Sequence, residues 1–359
     1  MWTRVGIAVA ALAGLAVVGW GLYKVVVHHE PETGSLPEPT PATVDIDRPE
    51  IADRFAPIIQ LMRGELFEPV GLPRYVTNTD LVEVLENGQE RDERLLNGRP
   101  TLASIASEHG CRAHPEAPGF RCHLALKMAG LEMHDGVAGY ADLQTRLRRA
   151  AKPVVYWNVA QNLAGTFVQY WFMYVLDDWQ NWHEGDLEQI TIRLSPDAQT
   201  PCEAGYSEHD RGRRRYWSAV SAREGHPVVY VAEGSHANYF ARERPFVYVG
   251  IGSHKRILSG RDIADEPDSR KPLEPADYRL VRLDSLPLFG GDYGFGNFTQ
   301  PVNLRIHVRS LRRRISANAP LDFGVTVKDP RKRDEWHHPG GWIASLDADK
   351  PLGVPTCTS

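Results

Sequence analysis

The sequence predicts a mainly β fold: an antiparallel β-sandwich with N-terminal helices packed on it, preceded by a single transmembrane helix. Three observations carry this. From Pro153 onward, short runs rich in Val, Ile, Tyr and Trp recur with turn residues between them, as antiparallel strands require. Between residues 49 and 150, segments with helical spacing and capping residues occur instead. Val5 to Tyr23 holds 19 consecutive uncharged positions. At about 1.5 Å per residue, that run crosses a hydrocarbon core of ~30 Å.

The N-terminal elements follow in order. A tip of residues 1–4 precedes an anchor at 5–27, where Trp20 and Tyr23 suit a membrane interface and Lys24 can snorkel. A cleaved signal peptide is the alternative. Against it, the apolar run is long and no small-x-small site follows in VVVHHEPETG. Arg4 before the run and Glu30, Glu32 and Glu38 after it place the bulk of the chain outside the membrane. Residues 28–48 carry Pro31, Pro37, Pro39 and Pro41 and read as a linker of polyproline character. The single extracytoplasmic domain then spans 49–359: a helix-bearing portion at 49–150, a sandwich at 151–330 and a tail at 331–359.

Within the first portion, Ile51, Phe55, Ile58, Ile59 and Met62 have helical spacing interrupted by Pro57. Further helices are expected from Thr79 or Asp80 to Asn87-Gly88, from Thr101 to His109, and from Ala138 to Ala150. The last carries Arg146, Arg148 and Arg149 at its favourable C-terminal end. Strands are expected at 154–157, across 166–194, at 216–220, 227–232, 246–251, 278–284, 304–310 and 323–327. The net charge of −5, with 41 basic and 46 acidic residues well mixed, gives no basic field for nucleic acid.

The stretch 166–194 holds the chemistry. Asp186, Glu188, Ile190, Ile192 and Leu194 alternate onto one face, with Gln189, Thr191 and Arg193 on the other. Two carboxylates thus share a face that aliphatic side chains mark as buried, where they must be paired, protonated or bound to a cation. His183 lies just before them, and Asp177 and Asp178 close the preceding strand. Such a set suits Mg²⁺, Ca²⁺ or Mn²⁺. The alternative is a hydrogen-bonded cluster with Arg193 or a lysine as countercharge.

Four cysteines beyond a membrane helix fit two disulfides, Cys111–Cys122 and Cys202–Cys357. A zinc set of Cys111, His114, Cys122 and His123 matches no standard finger spacing, and free thiols are a third option. The basic runs at 211–215, 312–314 and 331–333 read as solvated loops.

His183-Glu184-Gly185-Asp186-Leu187-Glu188, after the aromatic run Tyr170 to Tyr174, resembles the HEGDWE signature of the vacuolar protein sorting 62 family, with Leu187 at the Trp position. Tyr206-Ser207-Glu208-His209, Gly234-Ser235-His236-Ala237-Asn238-Tyr239, and an Ala-Pro element followed by a Glu and a Pro near residue 57 extend that resemblance across roughly residues 50–300. The pattern His-x-x-Asp-x-Glu is more distantly similar to the heptapeptide of the necrosis- and ethylene-inducing peptide-like proteins. Those are secreted β-sandwich cytolysins that hold a divalent cation and dock on sphingolipid headgroups. The resemblances imply a divalent-cation site on Asp177, His183, Asp186 and Glu188, with His209, His236 and Tyr239 as ligand-binding residues. They imply cation-dependent binding of a headgroup or glycan at the sandwich mouth. The alternatives are a metal-dependent hydrolase of phosphoester or glycan substrates, and a structural cell-envelope protein. Ser235 lacks the second Gly of a nucleophile elbow, so it makes a poor nucleophile.

Overall fold

The computed structural model describes residues 43–85, 90–94, 99–106, 122–131, 136–178, 183–208, 211–242, 248–251, 254–257, 267–283, 293–295, 300–308, 313–321, 327–328 and 333–357. Val44–Asp45 (β1) pairs antiparallel with residues 160–161, so the end of the expected linker belongs to a sheet edge. Helix α1 (Pro49–Arg54) starts on a proline, carries Glu50 in its first turn and buries Ile51 and Ala52. Pro57 stops the helical pattern, and Ile58–Leu61 (β2) continues as a strand. Helix α2 (Leu72–Val76) again opens with a proline.

Where the sequence reads as a helix from 79, the structure has a strand, β3 (Thr79–Leu85). It pairs antiparallel with Glu90–Arg94 (β4) and Cys122–Met128 (β5). The spacing of Leu81, Val82, Val84 and Leu85 fits either period, and pairing with β5 decides it. Leu81 faces the main core, while Val82 packs with Ala125 on the other side. Helices α3 (Leu102–Ala106) and α4 (Gly136–Ala150) stand near their expected positions. Tyr140, Leu143 and Leu147 of α4 are buried at helical spacing.

The main sheet is built from β6 (Val154–Asn162), β7 (Gly165–Asp177), β8 (His183–Leu194), β9 (Pro201–Glu208) and β10 (Arg211–Tyr216), all successive antiparallel neighbours. The pair β7–β8 keeps a single register, with Tyr170 opposite Ile190, Tyr174 opposite Asp186 and Asp177 opposite His183. A second sheet joins Ala222–Arg223 (β11), His226–Val231 (β12) and Asn238–Tyr239 (β13), with β2 parallel to β12. Tyr248–Ile251 (β14) and His254–Ile257 (β15) form a third sheet with two longer strands. Arg279–Arg282 (β16) returns to the main sheet, parallel to β6. Tyr293–Phe295 (β17) lies parallel to β5. Gln300–Val308 (β18) and Arg313–Leu321 (β19) complete the third sheet, and Val327–Lys328 (β20) pairs with β17. Helices α5 (Asp334–His337) and α6 (Pro339–Ser345) precede Asp347–Ala348 (β21), which is parallel to β10.

The chain is therefore mainly β with a few helices, and residues 41–359 form one unit. Among the described residues four pairings are parallel, which corrects the expectation of an antiparallel arrangement. The expected strand 216–220 is a 3₁₀ turn at 217–219. The basic run 211–215 is strand β10 rather than a loop, because Arg213 meets Glu208 and Asp349, and the buried Arg215 meets Asp349. The expected transmembrane segment 5–27 lies outside the described residues. Among the described residues, no helix is long and apolar enough to cross a membrane.

One expectation about faces changes most. Strand β7 is buried at all 13 positions and β8 at 11 of 12. Gln189 and Thr191, expected on an open face, are sealed because the C-terminal segment lies over that face. Trp336 sits 6.3 Å from Trp171, Gln169 donates to the Glu335 carbonyl, and Gly340 fits where a Cβ would stand 2.9 Å from the Phe167 ring. Burying one such large apolar side chain is worth roughly 1.5–3 kcal/mol. Trp171 is fully buried under this cover, and Tyr170, Phe172 and Tyr174 are fully buried on the opposite face, where Tyr170 donates to the Ala52 carbonyl and Tyr174 stacks on His236.

Candidate functional site

The polar residues gather where β7 ends and β8 begins. Asp177 and His183 are register partners, and Asp177 Oδ2 stands 3.3 Å from His183 Nε2. His183 Nδ1 donates to the Gly185 carbonyl at 2.7 Å, which fixes that nitrogen as the protonated one. Gly185 has φ +66°, a left-handed conformation that glycine adopts at little cost. Burial alone would push the His183 ring down; the hydrogen bond and charge of Asp177, and then Asp186, hold it above its ordinary value. Asp177 Oδ1 is buried without a hydrogen-bond donor.

Asp186 turns to a second histidine. Its Oδ1 accepts from the Leu187 N–H at 2.8 Å, and its Oδ2 stands 2.9 Å from His236 Nδ1. On the other side of that ring, Glu65 Oε1 lies 3.4 Å from Nε2, an ion pair rather than an aligned hydrogen bond. Glu65 is fixed by the N–H groups of Phe67 and Gly234, each at 2.7 Å. His236 is wholly buried and lies flat against Tyr174, ring centroids 3.8 Å apart and planes 6° from parallel. Burial depresses its basicity, yet Glu65 and then Asp186 overcome that and push it up to about 10. It is therefore an imidazolium at neutral pH, stacked on an aromatic face.

Local backbone explains how the ring arrives there. After β12 the chain kinks through Gly234 at φ +82° and His236 at φ +54°. The second conformation is costly for a residue with a Cβ and persists only where surroundings enforce it. A Cβ on Gly234 would stand 2.8 Å from the Asp178 carbonyl oxygen, while Asp178 N donates to the Gly234 carbonyl at 2.7 Å. This kink thus locks the end of β7 to the end of β12.

Glu188 accepts from the Ser207 hydroxyl, which accepts in turn from the Gln189 N–H at 2.8 Å. Asn238 reaches the same hydroxyl at 3.4 Å. Tyr239 packs instead with Met62, Ala232 and Ala237, with the Arg213 guanidinium 5.8 Å from its ring centroid. His209 lies outside the described residues. Ser235 is buried and its hydroxyl accepts from Ala237 N.

The expected residues are brought together in part: Asp177 with His183, and Asp186 with His236. The partners of Asp177 and Asp186 are these two histidines, not Arg193, which pairs with Glu203 at 2.6 Å. Glu65 went unread in the sequence; its one trace was a carboxylate inside Gly64-Glu65-Leu66-Phe67, beside buried Phe67. The donor chemistry fits a hard divalent ion, and Asp177 Oδ1 is the atom such an ion would satisfy. Among the described residues, however, no three His, Cys, Asp or Glu side chains are grouped to hold a metal ion.

Of the four cysteines, Cys202 and Cys357 form a disulfide with Cα atoms 5.2 Å apart, as expected. Cys111 lies outside the described residues, so its pairing with Cys122 does too.

No protein-family model matches the chain and no curated protein matches it. The vacuolar protein sorting 62 resemblance therefore rests on its short motifs alone. Solved structures similar to the chain are necrosis- and ethylene-inducing-type proteins. One is necrosis and ethylene inducing protein 2 from the causal agent of cocoa's witches' broom disease, at 13% identity and a TM-score of 0.27, covering 53% of this chain and 63% of that one. Another is NLPPya in complex with glucosamine, at 11% identity and a TM-score of 0.33, covering 73% and 89%. NLPPya in complex with mannosamine matches at 10% identity and a TM-score of 0.31, with the same coverage. At these values the likeness is distant and assigns no function to this chain.

Proposed function

We propose that this is a binding domain, held at a membrane by residues 5–27. A divalent cation at the β7–β8 end, Mg²⁺ or Ca²⁺ by donor chemistry and Mn²⁺ as a third choice, would support recognition of a polar headgroup or glycan. The observation that carries the cation is the buried Asp177 Oδ1 without a donor, beside a histidine whose other nitrogen is tied to a carbonyl. Buried acceptors left unmet cost about 1–3 kcal/mol, so an occupant is favoured there. Asp177 and His183 would hold the ion, with Asp186 and Glu188 as the further carboxylates.

Binding is favoured over hydrolysis by His236. A general base needs a free lone pair near working pH. This ring is protonated, sealed and held between two carboxylates. It is a fixed charge, and it neutralises part of the site.

The test is thermal unfolding of the purified domain in chelator and then in rising Mg²⁺, Ca²⁺ or Mn²⁺. An ion bound only by the native state raises the midpoint by roughly 5 °C at a hundredfold excess over Kd. Asp177→Asn and Glu188→Gln should abolish that response. A midpoint indifferent to every ion in wild type and variants alike overturns the cation and leaves a structural cluster.

A further inference from the structure

A small pocket of about 20 Å³ opens between helix α2, the C-terminal end of helix α4 and residues 69–71. Pro69, Val70 and Leu147, all buried, supply apolar lining. The charged lining is three cations, Arg74, Arg148 and Lys152, against one carboxylate, Glu68, which leaves two positive charges in excess. That carboxylate is already answered, by Arg148 at 3.1 Å and by Arg270 at 3.5 Å.

The three cations keep donors to spare. A guanidinium has five N–H donors and an ammonium three. Among the described residues, Arg74 spends one on the Ala150 carbonyl at 3.0 Å, Lys152 spends one on the Ala276 carbonyl at 2.9 Å, and Arg148 meets Glu68 alone. All three residues are exposed. Ala150 ends α4, whose carbonyl end repels anions, and the Arg74 contact offsets that repulsion. Spare donors and excess positive charge select an anion rich in acceptors, and the apolar wall strengthens its attraction by excluding water. A cation would be repelled, and a neutral hydroxyl would leave the charge unanswered. A phosphate monoester carries about −1.5 to −2 charge near pH 7 and three strong acceptor oxygens. It matches the excess of two charges, and its oxygens fit the guanidinium fork.

We infer that this pocket binds the phosphate of a phosphate monoester, with Arg74, Arg148 and Lys152 as its donors. It shares none of Asp177, His183, Asp186 or Glu188 with the proposed cation site. The volume admits one oxygen-sized group, so one phosphate oxygen enters while the others stay outside, within reach of the exposed basic side chains. The same chemistry is found in soluble phosphate esters and in the headgroup of phosphatidic acid.

The test is calorimetric titration of the full chain, in uncharged detergent and chelator, with glycerol 3-phosphate and with glycerol. The chelator keeps the cation site out of the result, so failure of the cation reading leaves this one intact. Saturable binding of glycerol 3-phosphate, with glycerol inert, supports the inference. Titration with detergent micelles carrying phosphatidic acid or phosphatidylcholine separates the sources: binding of phosphatidic acid alone among the two lipids assigns the lipid, and binding of the soluble ester alone assigns a soluble ligand. Arg74→Gln and Lys152→Gln should each weaken binding about tenfold or more, as loss of a charged hydrogen-bond partner does. Both residues are exposed, so the melting midpoint should stay as in wild type. Arg149→Gln changes an exposed arginine on the same helix that does not line the pocket, and it should leave the affinity unchanged. An equal loss in Arg149→Gln would show a diffuse basic surface and overturn the inference. Undiminished affinity in Arg74→Gln and Lys152→Gln, or no binding of either phosphate source, overturns it as well.

Discussion

Glu65→Gln is the change that probes the buried histidine most directly. Glu65 is 1% exposed; it accepts two backbone N–H groups at 2.7 Å and faces His236 Nε2 at 3.4 Å. Glutamine keeps the length and one carbonyl oxygen, so one of those N–H groups keeps an acceptor. The other meets an amide donor, and a buried donor left unmet costs about 1–3 kcal/mol. The imidazolium also loses one of its two counterions. Breaking a buried pair costs about 3–5 kcal/mol, and here less because Asp186 remains at 2.9 Å. Together the loss should be about 4 kcal/mol, read as a lower urea midpoint at unchanged slope. Wild-type stability should also depend on pH. His236 binds its proton more tightly folded than unfolded, so its contribution is complete below about pH 6.5 and fades as pH rises towards about 10. In chelator, wild type should lose stability across that window, and Glu65→Gln should lose less. A cost below about 1 kcal/mol with no change in the pH slope would show that Glu65 and His236 carry no paired charge.

Two further outcomes are expected. Cys202→Ser, or mild reduction, opens a link between positions 155 apart in sequence and should cost about 2–4 kcal/mol; hydrogen exchange should rise first at the amides of Tyr216 and Val354, which bond to Leu352 and Ser218. The uncharged run at 5–23 should keep the full chain with membranes through a carbonate wash, and a soluble, trimmed product would remove the anchor.

Much of the site was legible because it is local. The alternation from Asp186 to Leu194 and the aromatic run before it give the β7–β8 hairpin, whose turn-side residues must face one another. His236 was legible as a residue near the end of a strand, but not as an imidazolium, because its charge comes from Glu65, which is 171 positions away in the chain. Local spacing says nothing about such a partner. The helix expected at 79 failed for the same reason: Leu81, Val82, Val84 and Leu85 suit both periods, and the deciding contacts lie on β5. The sealing of Gln189 and Thr191 likewise depends on residues 333–346, whose sequence gives no sign that they lie over the sheet.

That late-arriving cover has a consequence for synthesis. Gly340 and Trp336 fit against Phe167 and Trp171, more than 160 residues earlier. At a translation rate of about 5–20 residues per second, roughly 10–30 s separate the two halves of that layer as they leave the ribosome. Through that interval Phe167 and Trp171 lack the residues that cover them in the folded chain. A holding chaperone, or passage in an unfolded state, would shield those two rings until residues 336–340 arrive.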